Sequence, residues 1–236
     1  MKAHHHTAVA AVLGSAALVL SGCASEDNIY TQARPEKADI AIAIDGASNE
    51  QVVLGEIYSR VLKGQGRPTS VTSVTGLDDA PTLEVLREQP IDFVVTCTGR
   101  LLEESDPKAA KELAGGDVTD GAYTDEVYGA AVAAMPGDMR TVDPSPAQAC
   151  GESELSQNVI PVFHKGTFDR GEINRLNFIT RVLSTDRLEE MAEEVDKGAT
   201  VEDAIAEWMI EYAHIDVHHD APADPEDVID PDSASK

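Results

Sequence analysis

Residues 39–62 read DIAIAIDGASNEQVVLGEIYSRVL, and this stretch decides the fold class. Asp39 to Ile44 is a short apolar run rich in isoleucine, which predicts a buried strand. Asp45-Gly46-Ala47 follows as a tight turn, and Ser48 is placed to cap a helix, with Gln51 three residues on completing a capping box. Val53, Leu54, Ile57, Tyr58, Val61 and Leu62 then recur at helical spacing, until Gly64 stops the helix. Working outward, Ser70–Val74 predicts a second strand, Pro81–Glu88 (PTLEVLRE) a helix, and Ile91–Thr96 (IDFVVT) a third strand. That strand-helix-strand-helix-strand order predicts an α/β fold with a parallel sheet.

Residues 100–158 differ in character. Gly115-Gly116, Gly121, Pro136-Gly137, Pro144 and Pro146 interrupt two short helices, Pro107–Leu113 and Asp125–Ala134, and the segment reads as a small inserted lobe. The chain returns as the strand Asn158–Phe163 (NVIPVF), followed by helices at Glu172–Ser184, Thr185–Lys197 and Thr200–Tyr212. Thr185 and Thr200 are candidate N-caps, and Val201, Ala204, Ile205, Trp208 and Tyr212 form a core-facing stripe. The main lobe is thus expected to combine residues 38–99 and 159–213, with 214–236 an acidic, disordered tail.

At the other end, Met1-Lys2 and the apolar run Thr7–Leu20 (TAVAAVLGSAALVL) read as a signal-peptide core, too short for a permanent membrane span. It ends in Leu20-Ser21-Gly22-Cys23, similar to a bacterial lipobox, so residues 1–22 are expected to be removed and Cys23 to be diacylated. Residues 23–37 would be a polar tether, and the localisation is expected to be the cell membrane, lipid-anchored on its extracytoplasmic face. Removal of residues 1–22 takes away only Lys2 among the charged residues, leaving 17 Lys+Arg against 43 Asp+Glu, a net charge of −26. Such a surface repels nucleic acid and anionic headgroups, while cations and zwitterions remain compatible ligands. Cys97 and Cys150 are then an even pair in an oxidising compartment, which predicts a disulfide, two separate buried thiols being the alternative. It would close a loop of about 54 residues, worth roughly 4 kcal/mol on the chain-entropy model.

The stretch Ile40–Leu102 resembles the opening of the substrate-binding proteins of glycine betaine, choline and carnitine (quaternary amine) ABC importers. Gly46, Ser48, Asn49, Glu50 and Gln51 match the family's turn and helix start, and Ile91, Asp92, Thr98 and Gly99 match its hinge strand. Asn158-Val159-Ile160-Pro161 is similar to the return crossover, and Leu183-Ser184-Thr185 through Trp208-Met209 to the closing helices. The resemblance implies a periplasmic-binding-protein fold of type II, two lobes with the ligand between them, delivering a small zwitterionic or cationic solute, a glycine betaine-like osmolyte, to an ABC permease. The chain departs from the family pattern in two respects: Cys97 stands at the hinge tyrosine, and the 59 residues from Arg100 to Asn158 are shorter than the family's second lobe.

A methylated cation donates no conventional N–H hydrogen bond and is held by aromatic faces. Trp208 and Tyr58 lie on core-facing stripes, which leaves Tyr123 and Tyr128 as the cage candidates, packing at helical spacing from Thr124 and Val132 being the alternative for Tyr128. Ser48, Asn49 and Glu50 at a helix N-terminus would meet a ligand carboxylate, or would simply start the helix. With Thr98, Gly99 and Asn158 at the crossings, these complete the expected ligand-binding set. Gly46-Ala47-Ser48-Asn49-Glu50 lacks the second glycine of a hydrolase nucleophile elbow, and no histidine and acid follow in order, so the chain reads as a non-enzyme. No cofactor is implied. His214, Asp216, His218, His219 and Asp220 lie in a tail whose ordering would cost entropy, so no metal site is expected there. The other reading is a surface lipoprotein with a degenerate binding-protein fold, acting as an interaction or envelope protein.

Overall fold

The computed structural model describes residues 37–218, apart from 75, 78 and 79. The expected signal peptide, Cys23, most of the tether and the tail from His219 onward lie outside the described residues. The fold is mixed α/β, a five-stranded, mostly parallel sheet surrounded by helices. In chain order the elements are β1 (Ile40–Ile44), α1 (Asn49–Gly64), β2 (Thr69–Ser73), α2 (Thr82–Glu88), β3 (Phe93–Cys97), α3 (Thr98–Ser105), α4 (Pro107–Leu113) and α5 (Gly121–Ala134). There follow β4 (Met139–Thr141), β5 (Val159–His164), α6 (Arg170–Val182), α7 (Thr185–Asp196), α8 (Val201–Trp208) and a π-helical turn at Met209–Ala213.

The strand order is β2-β1-β3-β5-β4. β1 pairs in parallel with β2 and β3, whereas β5 runs antiparallel to both β3 and β4, so four strands share one direction and β5 opposes them. Successive side chains alternate between the two faces. Ile40, Ile42, Ile44, Phe93, Val95 and Phe163 point to a first core built with α1, α6, α7 and α8. Ala43, Val94, Ile160 and Val162 point to a second, covered by Leu86, Leu101, Leu102, Val127 and Ala131 of α2, α3 and α5. Apolar strands of this kind, with little alternation to polar residues, are those buried on both faces.

Residues 100–158, read from the sequence as a small second lobe, supply α3–α5 to the second face and β4 to the same sheet. The physical reason is the second face itself, since without α3 and α5 the side chains of Val94, Ile160 and Val162 would meet water. The expected helix Thr200–Tyr212 becomes α8 and the π turn, closed by His214 in the left-handed region at φ 53°. Beyond it the chain still packs: Ile215 lies against the first core, Val217 is 3% exposed, and the Val217 carbonyl accepts from Arg60 Nη1 at 3.1 Å. The stretch from His214 to Val217, expected to belong to the tail, therefore packs on the fold.

The sheet's amino-terminal edge is tied by one ion cluster. Arg67 holds the buried Glu172 with both arms of its guanidinium, Nε to Oε1 at 2.8 Å and Nη2 to Oε2 at 2.9 Å, and donates also to the Ala38 and Thr167 carbonyls. Lys37 reaches Glu172 at 2.9 Å and Asp169 at 3.0 Å, while Asp169 and Glu172 cap α6 reciprocally. Burial pushes the Glu172 carboxyl up, but the bonds from Arg67, Lys37 and the Asp169 backbone outweigh it and hold the group below the ordinary glutamate range. An acid depressed in the folded state stabilises above its unfolded pKa, ~4.3 for Glu, and loses that contribution as pH falls through the lower folded value.

Two outcomes are expected. The melting temperature should stay nearly level from about pH 7 to about pH 5 and fall below about pH 4, with a shallower fall in Glu172→Gln, which itself costs about 3 kcal/mol by leaving Arg67 buried without its partner. Val217→Ala should cost about 2 kcal/mol in chemical denaturation, where a solvated tail would give no change.

Candidate functional site

The carboxyl ends of β1 and β3 and the amino end of β5 come together at one edge of the sheet. Open α/β sheets bind ligands at this edge, because the backbone turns there leave helix N-termini and loops around a crevice. The Asp45–Ser48 turn, the start of α3 and Asn158 lie at this edge, and residues 143–157 run across the last two. That segment is fixed by Ser145 N–H to the Val159 carbonyl at 2.9 Å, Val159 N–H to the Ala147 carbonyl at 2.9 Å and Ala147 N–H to the Leu183 carbonyl at 3.1 Å. A disulfide joins Cys97 to Cys150, with Cα atoms 6.3 Å apart.

Thr98, Gly99 and Asn158 form one closed network beneath this cover. Thr98 Oγ1 donates to the Ser156 carbonyl at 2.7 Å and accepts from the Asn158 N–H at 3.2 Å, and Thr98 is fully buried. Gly99 N–H donates to the same Ser156 carbonyl at 2.9 Å. Asn158 spends its amide on the Ser145 carbonyl at 2.8 Å and its Oδ1 on the Ser156 hydroxyl. The cover sits so close that a Cβ on residue 99 would lie 2.7 Å from Leu155 Cβ and 2.9 Å from the Ser156 carbonyl, so only glycine fits there. With these groups satisfied inside the protein, a ligand finds none of them presented.

Ser48, Asn49 and Glu50 lie elsewhere at the same edge. Ser48 Oγ accepts from Gln51 N–H at 3.3 Å, so the cap forms. The reciprocal half of the expected capping box does not, because the buried Gln51 Oε1 has no partner. Asn49 Nδ2 donates to Asp196 Oδ1 at 2.6 Å, which ties the start of α1 to the end of α7. All three residues line an open depression of about 520 Å³, together with Glu189, Glu193 and Asp196. A second depression of about 520 Å³ continues past Glu50 to Gln148, Thr185 and Gln157, and a third of about 480 Å³ lies beyond residues 152–157, against Arg100 and Lys111. None of the three is lined by Phe, Tyr or Trp.

The tyrosines expected to form a cage are committed to α5 and its neighbours. Tyr123 donates to the Leu113 carbonyl at 2.9 Å, with the Glu154 carbonyl at 3.2 Å, and its ring lies against Gly116. Tyr128 donates to the Val142 carbonyl at 3.1 Å, and burial followed by the nearby Asp143 carboxylate raises its pKa. Both pack against the second core, away from Ser48 to Glu50. Tyr58 and Trp208 are core residues, Tyr58 sharing a 2.9 Å hydrogen bond with Thr180. His164 Nε2 sits 2.9 Å from the Leu86 carbonyl, and no group of three or more His, Cys, Asp or Glu suited to a metal ion occurs among the described residues.

Sequence reasoning missed Gln148, Gln157, Glu189, Glu193 and Asp196. The last three recur at helical spacing on α7, a signal that was present but looks like any solvated acidic face.

No protein-family model matches the chain, and no curated protein matches it. Among solved structures it is similar to a TRAP periplasmic solute-binding protein from Pseudomonas putida F1 with bound D-glucuronate. The identity is 8% and the TM-score 0.38, over 75% of this chain and 94% of the other. A likeness of that size carries no weight for ligand or mechanism.

Thr98→Val should cost about 1–3 kcal/mol in denaturant titration, because it leaves the buried Asn158 N–H without a partner and takes one of two donors from the Ser156 carbonyl. Tyr128→Phe, which removes one bond to a half-exposed site, should cost about 1 kcal/mol or less.

Proposed function

We propose that this chain is an extracytoplasmic solute-binding lipoprotein, anchored through a diacylated Cys23, that meets a small cationic or zwitterionic solute at the carboxyl-end face of its sheet and passes it to an ABC permease. The observation that carries this reading is the depression at the start of α1, where Ser48, Asn49 and Glu50 stand opposite Glu189, Glu193 and Asp196 at the edge where open α/β sheets take ligands. The ordered set of quaternary-amine-importer-like segments supports the same reading, as does a disulfide of the kind that persists outside the cytoplasm.

Within that reading, the solute's cationic end is a protonated amine with N–H donors rather than a betaine-type quaternary ammonium. Carboxylates accept charge-assisted hydrogen bonds from an amine. A trimethylated nitrogen needs ring faces, and none lines these depressions.

The interaction-lipoprotein reading is favoured by a different observation, the cover over Thr98 and Gly99 together with the internal bonds of Tyr123 and Tyr128. A soluble form starting after Cys23 separates the two. Thermal shift and calorimetry are run with glycine betaine, choline, carnitine, proline betaine, ectoine and a set of primary amines and amino acids. A primary amine is expected to raise stability by about 2.7 kcal/mol at a hundredfold of its dissociation constant. Glu50→Gln combined with Glu189→Gln should weaken it at least tenfold, the loss of about one charge-assisted hydrogen bond. If no solute moves the melt at millimolar concentration, solute binding is refuted and the interaction reading stands. A shift by glycine betaine as large as any amine's would overturn the assignment of the cationic end.

A further inference from the structure

Cys97 is the last residue of β3 and occupies the N-cap position of α3, fully buried and without a side-chain capping bond. An N-cap group normally accepts from the second and third N–H groups of its helix. Here both are taken by the cover, Gly99 N–H by the Ser156 carbonyl at 2.9 Å and Arg100 N–H by Gln157 Oε1 at 3.1 Å. The segment that Cys150 belongs to therefore stands in for the cap that Cys97 would otherwise supply.

Cys150 differs from Cys97 in every respect that governs attack. It is half-buried and lines the 480 Å³ depression beside Arg100, Lys111 and Glu103. It also holds a left-handed backbone at φ 65°, followed by Gly151 at φ 78°. A non-glycine residue in that region is unfavourable, and the disulfide is one of the bonds that keeps it there.

We propose that Cys97–Cys150 is an exchange-active disulfide, opened by an external dithiol that attacks Cys150 from this depression, with Cys97 as the leaving thiolate and residues 150–157 released from the strand ends. In the first step the dithiol's thiolate forms a bond to Cys150 Sγ, the Cys97–Cys150 bond breaks, and its electron pair passes to Cys97 Sγ. In the second, the other thiol of the reductant attacks its own sulfur in the mixed disulfide and displaces the Cys150 thiolate. Two electrons have moved from the dithiol to the cystine, the dithiol departs as a disulfide, and its two protons end on Cys97 and Cys150.

Two effects oppose each other at Cys97. Burial in the first core disfavours its thiolate, while the N-terminus of α3 favours it. Lifting residues 150–157 weakens the first and strengthens the second, since it admits water and frees the Gly99 and Arg100 N–H groups. Reduction and release of the cover thus support one another, and the helix exchanges one cap for the other.

The test uses the chain with its disulfide intact, in neutral buffer without denaturant. With millimolar dithiothreitol followed by alkylation and mass spectrometry, both cysteines should become modified while the amides of β1 and α1 keep their hydrogen-exchange protection. Exchange in residues 150–157 should rise at least tenfold. With glutathione and an acid quench, the trapped adduct should sit on Cys150. Gly99→Ala, whose new methyl would press on Leu155 and Ser156, should speed reduction at least tenfold. Reduction only at denaturant concentrations that also unfold β1 and α1, an adduct on Cys97, or unchanged exchange in 150–157 after reduction would each overturn the proposal.

Discussion

The structure depends on a sheet that is apolar on both sides. Phe93 and Val95 of β3 face one core while Val94 faces the other, and the flanking strands repeat the pattern. Each exposed methylene group would cost about 0.8 kcal/mol, so both faces must be roofed. α1 and the helices after β5 roof the first, and α2 together with the chain between β3 and β5 roofs the second. That requirement draws α3, α4 and α5 onto the sheet and lets β4 join its edge. It also leaves residues 143–157 to return across the strand ends on the way to β5, over the position where a ligand cleft would open.

What could be read from the sequence was what local chemistry determines. β1 and α1 announce themselves by an isoleucine run and a helical stripe, and the pairing of Cys97 with Cys150 by counting. What could not be read depends on partners far along the chain. β4 is three residues long with no periodic signal and exists because Met139–Thr141 pair with Val162–His164. α3 begins at Thr98-Gly99, residues that look like a hinge until Ser156 is seen to lie on them.

The candidate site divides in the same way. Ser48 could be assigned to a helix start from its neighbours, yet the role of Asn49 is set by Asp196, 147 residues later. Tyr123 and Tyr128 carry the right side chains for a cage, but their hydroxyls end on carbonyls of Leu113 and Val142, contacts that no spacing rule foretells. The acidic wall from α7 has a helical rhythm in the sequence, and only the tertiary fold distinguishes it from an ordinary wet surface.

The bond between Cys97 and Cys150 also gives the chain a mechanical character. Most of what roofs the second face, α3 and α5, lies with α4 and β4 inside a covalent ring spanning 53 positions of sequence. Force applied at the two termini bypasses that ring, so an oxidised chain pulled to full extension falls short of a reduced one by roughly 180 Å at 3.3–3.6 Å per residue. The β1 and β2 side of the sheet can be stripped away by tension while the ring stays a closed knot of helices. The protein is therefore two materials in series, a stretchable one outside the cystine and an inextensible one within.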